Sequence, residues 1–373
     1  MDTHENKPRQ AYLEKHVTDG VHVTILRRGK NREAFLSAPL GTEEAAAGLV
    51  HDLGVTPVFQ RVFGHADYAV AGRHAAGKRA GVTWPVHQII LAGDEGVSGG
   101  TEIRAVAGTD IVPLTIGGAA CGVVFGDGPA RFVRLGGLTP PNTRETTLEQ
   151  ARKTFEIMKA AVEEAGLSFS NVIRTWFYND RILDWYDDFN AARNTFFDAN
   201  GVYDGIVPAS TAVGGKNKTG AALTGDLLAL ASAGCRDVTV SAVTSPLQPP
   251  ALDYGSSFSR AVKVAFADHS RLYVSGTASI RPDGATAYPD DTGKQIQLTF
   301  ETVRAILESQ GMGWIDVNRA IAYVKEPEGF RALNACRQTG DLPDLPMIQV
   351  QSDICRSDLL FELELDAIGA DAS

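Results

Sequence analysis

The hydrophobic pattern changes period along the middle of the chain. Residues 147–165 place Phe155, Met158 and Val162 on one face, which predicts a helix ending at Gly166. Residues 172–178, VIRTWFY, are β-branched and aromatic and predict a strand. A second helix over 185–198 and two strands, near 206–213 and 225–233, complete the expected unit.

The same pattern recurs 145 residues further on. This offset carries Arg174 to Arg319 and Tyr178 to Tyr323, and a hairpin of β-rich residues precedes the first helix of each copy. In the second copy the closing strands are expected near 346–353 and 358–367. Each copy therefore predicts an α+β module, a mixed sheet with two helices on one face.

The first hundred residues show a fainter version of this order. Residues 21–26 and 58–62 are strand-like, 42–53 predicts a helix, and 102–106 predicts a closing strand. We therefore expect three regions: 1–108, an α/β region that is a candidate degenerate third module, then a module over 109–235 and a module over 236–373.

Composition excludes several classes of function. The formal net charge of −10 argues against a nucleic-acid-binding protein, which needs a basic surface. No apolar run is long enough to span a bilayer and no secretion signal is evident, so we expect no membrane association and a cytoplasmic location. The histidines form no metal motif and the four cysteines are scattered, so we expect no metal and no disulfide framework.

The two modules resemble the RidA (YjgF) superfamily. The telling segments are PAST at 208–211 and DLLFELE at 358–364, within the order hairpin, helix, strand, helix, strand, strand. The resemblance covers most of 110–368. It implies tandem RidA-like modules with a chorismate mutase-like fold, and no cofactor.

Within that superfamily the chain looks most like the chorismatases. RTWFY at 174–178, FNAAR at 189–193, YGSSFSRA at 254–261 and DICRSDLLFE at 353–362 carry this resemblance. It implies that Glu362 is the acid/base residue, and that Cys355 corresponds to a cysteine found in hydroxybenzoate-forming members. Two family arginines are missing, since Leu247 stands in one segment and Ser256-Ser257 stand where the family places Pro-Arg after Tyr-Gly.

The repeat favours one active site independently of any family. When DLLAL at 226–230 is aligned with DLLFE at 358–362, Leu230 takes the position of Glu362. A carboxylate kept in one copy alone indicates a single working module. The alternative is that Glu362 is a solvated strand residue, because strand alternation places it on the same face as Glu364.

Substrate contacts can be proposed for several other residues, each with a structural alternative. Arg174, Arg193, Arg319 and Arg337 recur in both copies, which also suits a structural role. Arg260 and Tyr254 lie at the start of the last module and are candidates for a pocket rim. Cys355 is a candidate for the pocket lining and Lys325 follows a strand; neither module carries an arginine in the strand where RidA deaminases hold a carboxylate.

Three functions follow from this reading. The first is a cofactor-free, chorismatase-like enzyme that cleaves the enol-pyruvyl ether of chorismate or a related compound, with Glu362 as the acid and a small anionic organic substrate. The second is a RidA-type hydrolase, deaminase or lyase acting on another enamine, imine or enol. The third is a non-catalytic small-molecule-binding protein. By resemblance, we expect a homotrimer or an intramolecular pseudo-trimer.

Overall fold

The computed structural model describes residues 11–64, 84–91, 98–232, 238–340 and 342–370. These residues form three mixed six-stranded sheets that follow one another along the chain. Each sheet is antiparallel except for one parallel pair at its edge. The α+β fold with tandem modules is confirmed.

The first sheet has the strand order β1-β2-β3-β6-β4-β5. A single described helix, α1 (Glu43–Asp52), connects β3 to β4 and buries Ala46 and Val50 against the sheet. The strands are β1 (Tyr12–Thr18), β2 (Val21–Arg28), β3 (Asn31–Pro39), β4 (Thr56–Gly64), β5 (Val86–Ile90) and β6 (Gly100–Ala107).

The second sheet repeats this order as β7-β8-β9-β12-β10-β11. Helices α2 (Thr147–Glu164) and α3 (Ile182–Ala199) cover one face, where Phe155 packs against Phe177 and Phe189. The strands are β7 (Ile111–Ile116), β8 (Ala119–Gly126), β9 (Ala130–Leu138), β10 (Val172–Asn179), β11 (Ala209–Gly214) and β12 (Leu223–Ser232).

The third sheet has the same order again, β13-β14-β15-β18-β16-β17. Helices α4 (Thr292–Ser309) and α5 (Pro327–Gln338) carry its second layer, and Asp291 caps α4 by accepting a hydrogen bond from the Lys294 amide. The strands are β13 (Thr239–Val243), β14 (Ala261–Ala265), β15 (His269–Ala278), β16 (Val317–Val324), β17 (Met347–Gln351) and β18 (Phe361–Ala370).

The three sheets close a ring within one chain. Strand β5 packs against β9, β11 against β15, and β17 against β3, so each sheet edge meets the next sheet in turn. The faces turned away from the helices share one apolar core, in which the Tyr178 and Tyr323 hydroxyls lie 3.4 Å apart and Phe63 packs against both rings. The domain limits at 108 and 235 and the number of chains in the assembly stay predictions.

Strand register shows which positions correspond in the three modules. Tyr178 pairs with Thr224, Tyr323 pairs with Glu362, and Phe63 pairs with Gly100. The alignment of Leu230 with Glu362 was therefore wrong, because the segment before β18 differs in length from the one before β12 and shifts the shared DLL letters out of register. The position of Glu362 still carries no carboxylate in either other module.

None of the helices formed by the described residues is long and apolar enough to cross a membrane. The described cysteines, Cys121, Cys336 and Cys355, form no disulfide with one another, and Cys235 lies outside the described residues. Within the same ranges, no three His, Cys, Asp or Glu side chains are grouped as ligands for a metal ion.

Candidate active site

Glu362 lies inside the protein, at the contact between the second and third modules. It is only 5% exposed and is paired across β18 with Tyr323 on one side and Ala278 on the other. Its carboxyl group lies directly over Gly276, and a Cβ atom there would overlap with the carboxyl oxygen. The glycine therefore provides the space that the acid group occupies.

The surroundings of Glu362 favour its protonated form. Burial, followed by the negative charge of Glu364, raises the pKa of Glu362 to about 8, and the charges of Arg174 and Arg260 only partly oppose this. A carboxyl group of this kind still carries its proton at neutral pH. It can donate that proton to a substrate, which an ordinary solvated glutamate could not do efficiently.

Glu364 lies two residues further along the same face of β18 and has the opposite behaviour. It accepts hydrogen bonds from Arg174 Nη2 at 2.7 Å, from Trp176 Nε1 at 3.0 Å and from the Thr211 hydroxyl, and it pairs with Arg319. Burial opposes ionisation, but the charges of Arg319 and Arg174 outweigh it and lower the pKa of Glu364 to about 2. One carboxyl is thus fixed as an anion beside one kept neutral.

This ion-pair network changes the role expected for two arginines. Arg174 is completely buried and bound to Glu364, and Arg319 bridges Glu364 and Glu102, with Arg319 Nε 2.8 Å from the Glu102 carboxylate. Neither lines the cleft described next, and the same is true of Glu362. In this structure both arginines serve the ion-pair network, and their contact with a substrate stays a prediction. Arg337 pairs with Asp344 at 2.7 Å and does not line the cleft either.

An open cleft of about 510 Å³ lies between α3 of the second module and two segments of the third, 254–256 and 355–357. Tyr254 and Cys355, both predicted from the sequence, line it. Burial and the charge of Glu362 raise the pKa of Cys355 to about 12, so the thiol is neutral and unsuited to act as a nucleophile. The remaining lining residues are Leu183, Asp184, Trp185, Tyr186, Asp187, Asp188, Asn190, Ser256, Arg356 and Ser357.

Arg260 contacts Tyr254, which lines the cleft. Its guanidinium group is 5.5 Å from the Tyr254 ring centre and donates two hydrogen bonds to the Pro249 carbonyl, at 3.0 and 2.8 Å. Arg260 is buried, and its charge acts on Glu362. It is therefore an internal residue instead of the rim residue that the sequence suggested.

The other two candidate residues, Arg193 and Lys325, lie at different places around the cleft. Arg193 is buried on α3, donates to Asn190 at 2.6 Å, and interacts electrostatically with Tyr186 and Cys355. It therefore supports the inner wall of the cleft. Lys325 donates to the Ser357 carbonyl at 2.5 Å and so fixes the 355–357 segment from outside.

Sequence reasoning missed the importance of Glu364 and overlooked Gly276, Thr211 and Arg356. Strand alternation alone makes Glu364 an argument for a solvent-facing Glu362. The available signal was the run ELELD at 362–366, which puts three carboxyl groups on one face of a strand that also carries core residues. Such a face must pair its charges inside the protein.

Comparison with known proteins supports this picture of the third module. The family model described as Endoribonuclease L-PSP matches residues 250–368. The match gives residues 250–368 a RidA/YjgF-type domain. The RidA resemblance inferred from the sequence is thereby confirmed.

Longer stretches of the chain are similar to a 3-hydroxybenzoate synthase and to a chorismatase. It is 28% identical over 255 residues to a 3-hydroxybenzoate synthase of Streptomyces hygroscopicus, a match that spans 61% of this chain and 71% of the relative. It is 26% identical over 219 residues to a chorismatase of Streptomyces rapamycinicus, spanning 53% of this chain and 64% of the relative. A crystal structure of a chorismatase superposes with a TM-score of 0.61 at 18% identity, covering 90% of this chain and 98% of the other, which shows the shared fold.

Proposed function

We propose that this chain is a cofactor-free enzyme that cleaves the enol-pyruvyl ether of chorismate or a related compound, with Glu362 as the general acid. The observation that carries the proposal is the buried carboxyl of Glu362, whose pKa is raised to about 8 next to an ionised Glu364. The similarity to a chorismatase and a 3-hydroxybenzoate synthase supplies the substrate class.

The proposed reaction begins with proton transfer from Glu362 to the methylene carbon of the enol-pyruvyl group. This leaves a Glu362 carboxylate and an oxocarbenium ion. Water then adds to the cation and its released proton returns to Glu362, after which the hemiketal collapses to pyruvate and a cyclohexadiene alcohol. In a hydroxybenzoate-forming variant, the cyclohexadiene product also eliminates water, which makes the ring aromatic. Proton donation by a positioned acid contributes roughly 10²–10⁴-fold to the rate.

Glu364 acts in this scheme as a positioning residue. Its charge disfavours the ionised form of Glu362, and the charges of Arg319 and Arg174 keep Glu364 itself ionised. At neutral pH, Glu362 therefore regains its proton after each turnover. Thr211 links the second module to the third, because its hydroxyl donates a hydrogen bond to Glu364 and accepts one from the Gly276 amide at 3.0 Å.

The cations near the cleft limit the substrates that fit. Arg356 lines the cleft, 5.6 Å from the Tyr254 ring centre, and Arg260 lies behind the same ring. Asp187 and Asp188 lie on the opposite wall. With Leu247 and Ser257 in place of family arginines, this balance favours one carboxylate bound by Arg356 over two. A mono-anionic enol ether related to chorismate is thus a better candidate than chorismate itself.

Pyruvate release tests the proposal. The wild-type protein and Glu362→Gln are incubated with chorismate and with a mono-anionic enol-pyruvyl ether, and pyruvate is measured enzymatically. The proposal predicts release by the wild type that is lowered at least 100-fold in the variant. Wild-type release that does not exceed the Glu362→Gln rate with either compound would overturn it.

A further inference from the structure

Gln248 lies in the segment that joins β13 to β14, and its side chain is buried. The amide nitrogen Nε2 donates hydrogen bonds to the carbonyls of Ala278 and Ile280, at 2.7 and 3.3 Å. Because a nitrogen can donate to these two carbonyls and an oxygen cannot, the orientation of the amide group is determined. The side-chain oxygen Oε1 is thus an acceptor with a fixed position.

Two other buried glutamines show how such a side chain is completed elsewhere in this protein. Gln150 and Gln295, in the first turns of α2 and α4, each donate through Nε2 to two main-chain carbonyls. The oxygen of each also accepts a main-chain amide, that of Ala222 or of Leu360, at 2.8 Å. Gln248 repeats the donor pattern, but its Oε1 has no hydrogen-bond partner among the described residues. A buried acceptor of this kind is suited to bind a donor from outside the chain.

The contacts of Gln248 connect it with both the acid and the cleft. Ala278, which accepts the shorter of its two hydrogen bonds, is the strand partner of Glu362. Ala278 also belongs to an apolar cluster against which Cys355 packs, and Cys355 lines the cleft. The side chain therefore reaches the part of the third module where the proposed reaction takes place.

The residue that follows Gln248 is fixed near the acid as well. The Pro249 carbonyl accepts two hydrogen bonds from Arg260, at 3.0 and 2.8 Å. The main-chain carbonyl of Arg260 accepts the amide of Ser275, at 3.0 Å, and Ser275 precedes Gly276, over which the carboxyl group of the acid lies. These bonds keep the 248–249 segment beside the strand that supports the acid.

We propose that Gln248 is a water-positioning residue, whose Oε1 accepts a hydrogen bond from the water that adds to the oxocarbenium ion. This inference rests on the proposed function. One proton of the water is held at Oε1 and the other is directed to the Glu362 carboxylate, which leaves an oxygen lone pair for the cationic carbon. As the carbon–oxygen bond forms, the second proton passes to Glu362, and the Gln248 amide takes none.

The proposal has a consequence for the fate of the cation. Without the acceptor of Gln248 the water adds more slowly, and the cation more often returns a proton to Glu362 and becomes the enol ether again. In D2O the acid carries a deuteron, so each such return can leave deuterium in the methylene group of the substrate. A purely structural role of Gln248 would not produce this exchange.

Deuterium in unreacted substrate tests this step. The wild type, Gln248→Met and Gln150→Met are incubated in D2O with chorismate and with the mono-anionic enol-pyruvyl ether, and the recovered substrate is examined by mass spectrometry. Substrate recovered from the wild type should remain unlabelled, because water captures the cation first. Gln248→Met should release pyruvate at least tenfold more slowly and leave labelled substrate. Gln150→Met, the matched control from the second module, should leave it unlabelled.

The outcomes separate this inference from the proposed function. Wild-type release that is lost in Glu362→Gln, together with unlabelled substrate and the wild-type rate in Gln248→Met, would overturn the role of Gln248 alone. Equal labelling in Gln150→Met would also overturn it, because loss of any buried glutamine would then cause the exchange. No release by the wild type would overturn both proposals.

A high-resolution crystal structure of the wild-type protein provides a test that needs no activity. It should contain an ordered water within about 3.2 Å of both Gln248 Oε1 and a carboxyl oxygen of Glu362. The absence of a water shared by these two groups, or a protein donor bound to Oε1, would contradict the proposal.

Discussion

The contact between the first and second modules and the contact between the second and third are built on the same plan. Each fixes a buried carboxylate at the equivalent strand position: Asp226 in one and Glu364 in the other. At the first contact, Asp226 binds Arg61 at 2.7 Å, lies 2.7 Å from His87 Nδ1, and accepts the Gly137 amide at 2.7 Å.

At the second contact, Thr211 takes the place of His87 and Gly276 takes the place of Gly137. The difference lies two residues before the fixed carboxylate, where the first contact has Thr224 and the second has Glu362. The comparison teaches that the anchored anion belongs to the scaffold of the ring. The extra carboxyl group is what distinguishes the proposed active site.

The largest effect is expected on the pH dependence of stability. The folded state keeps the proton of Glu362 up to about pH 8, whereas the unfolded chain loses it near 4.5, so the folded state binds more protons in between. The stabilisation linked to this proton is therefore fully present below pH 4.5 and is lost as the pH rises to 8. Glu362→Gln cannot titrate at this position. As the pH rises from 4.5 to 9, its free energy of unfolding should therefore increase relative to that of the wild type by roughly 4–5 kcal/mol. Urea unfolding at several pH values measures this difference. Free energies of unfolding that change equally with pH in the wild type and the variant would contradict the prediction.

The second effect compares the two anchored carboxylates. Glu364→Gln and Asp226→Asn each leave buried arginines without a counter-charge, so each should lower the free energy of unfolding by about 3–5 kcal/mol. Only Glu364→Gln should also move the loss of pyruvate release to lower pH, because the Glu364 charge raises the pKa of Glu362. An equal shift in Asp226→Asn would show that the two contacts are not functionally distinct.

A smaller effect is expected at the glycine beneath the acid group. Gly276→Ala should displace the Glu362 carboxyl, lowering kcat about tenfold and stability by about 1–3 kcal/mol, the usual cost of overpacking. Gly313→Ala is the matched control, because a Cβ at Gly313 meets no atom within 4 Å. Steady-state kinetics measures kcat. A kcat of Gly276→Ala equal to that of the wild type would mean that the position of the Glu362 carboxyl group is not critical.

The smallest effect is expected at the counterpart of Glu362 in the second module. The Thr224 hydroxyl is buried and has no hydrogen-bond partner among the described residues. Thr224→Val should therefore change stability by no more than about 0.5 kcal/mol and leave pyruvate release unchanged. A large loss of activity would indicate that the first contact also takes part in the reaction.

The sequence was sufficient to predict the architecture of the last two modules. The 145-residue offset equates Arg174 with Arg319 and Tyr178 with Tyr323, and the structure places each pair at equivalent strand positions. Local periodicity carried this information. The alignment of the last strands was wrong, because the offset between the two modules changes between β16 and β18. The two DLL segments therefore match in sequence but lie at different positions of the strand pairing.

The arrangement of the site could not be predicted from local pattern. Glu364 meets Arg174 and Thr211 across 190 and 153 residues of chain, and the pairing depends on how the modules close the ring. Burial of Glu362 likewise depends on Gly276 from a neighbouring strand. Such groups are identified by charge balance inside the fold, which a linear pattern does not contain.

The central claim is that Glu362 keeps its proton at neutral pH while Glu364 has lost its own. Titration of the glutamate carboxyl carbons by carbon-13 NMR, with Glu362→Gln used to assign the signal, tests this directly. The account predicts a midpoint near pH 8 for Glu362 and no titration of Glu364 above pH 4. A Glu362 midpoint near 4.5 would contradict it.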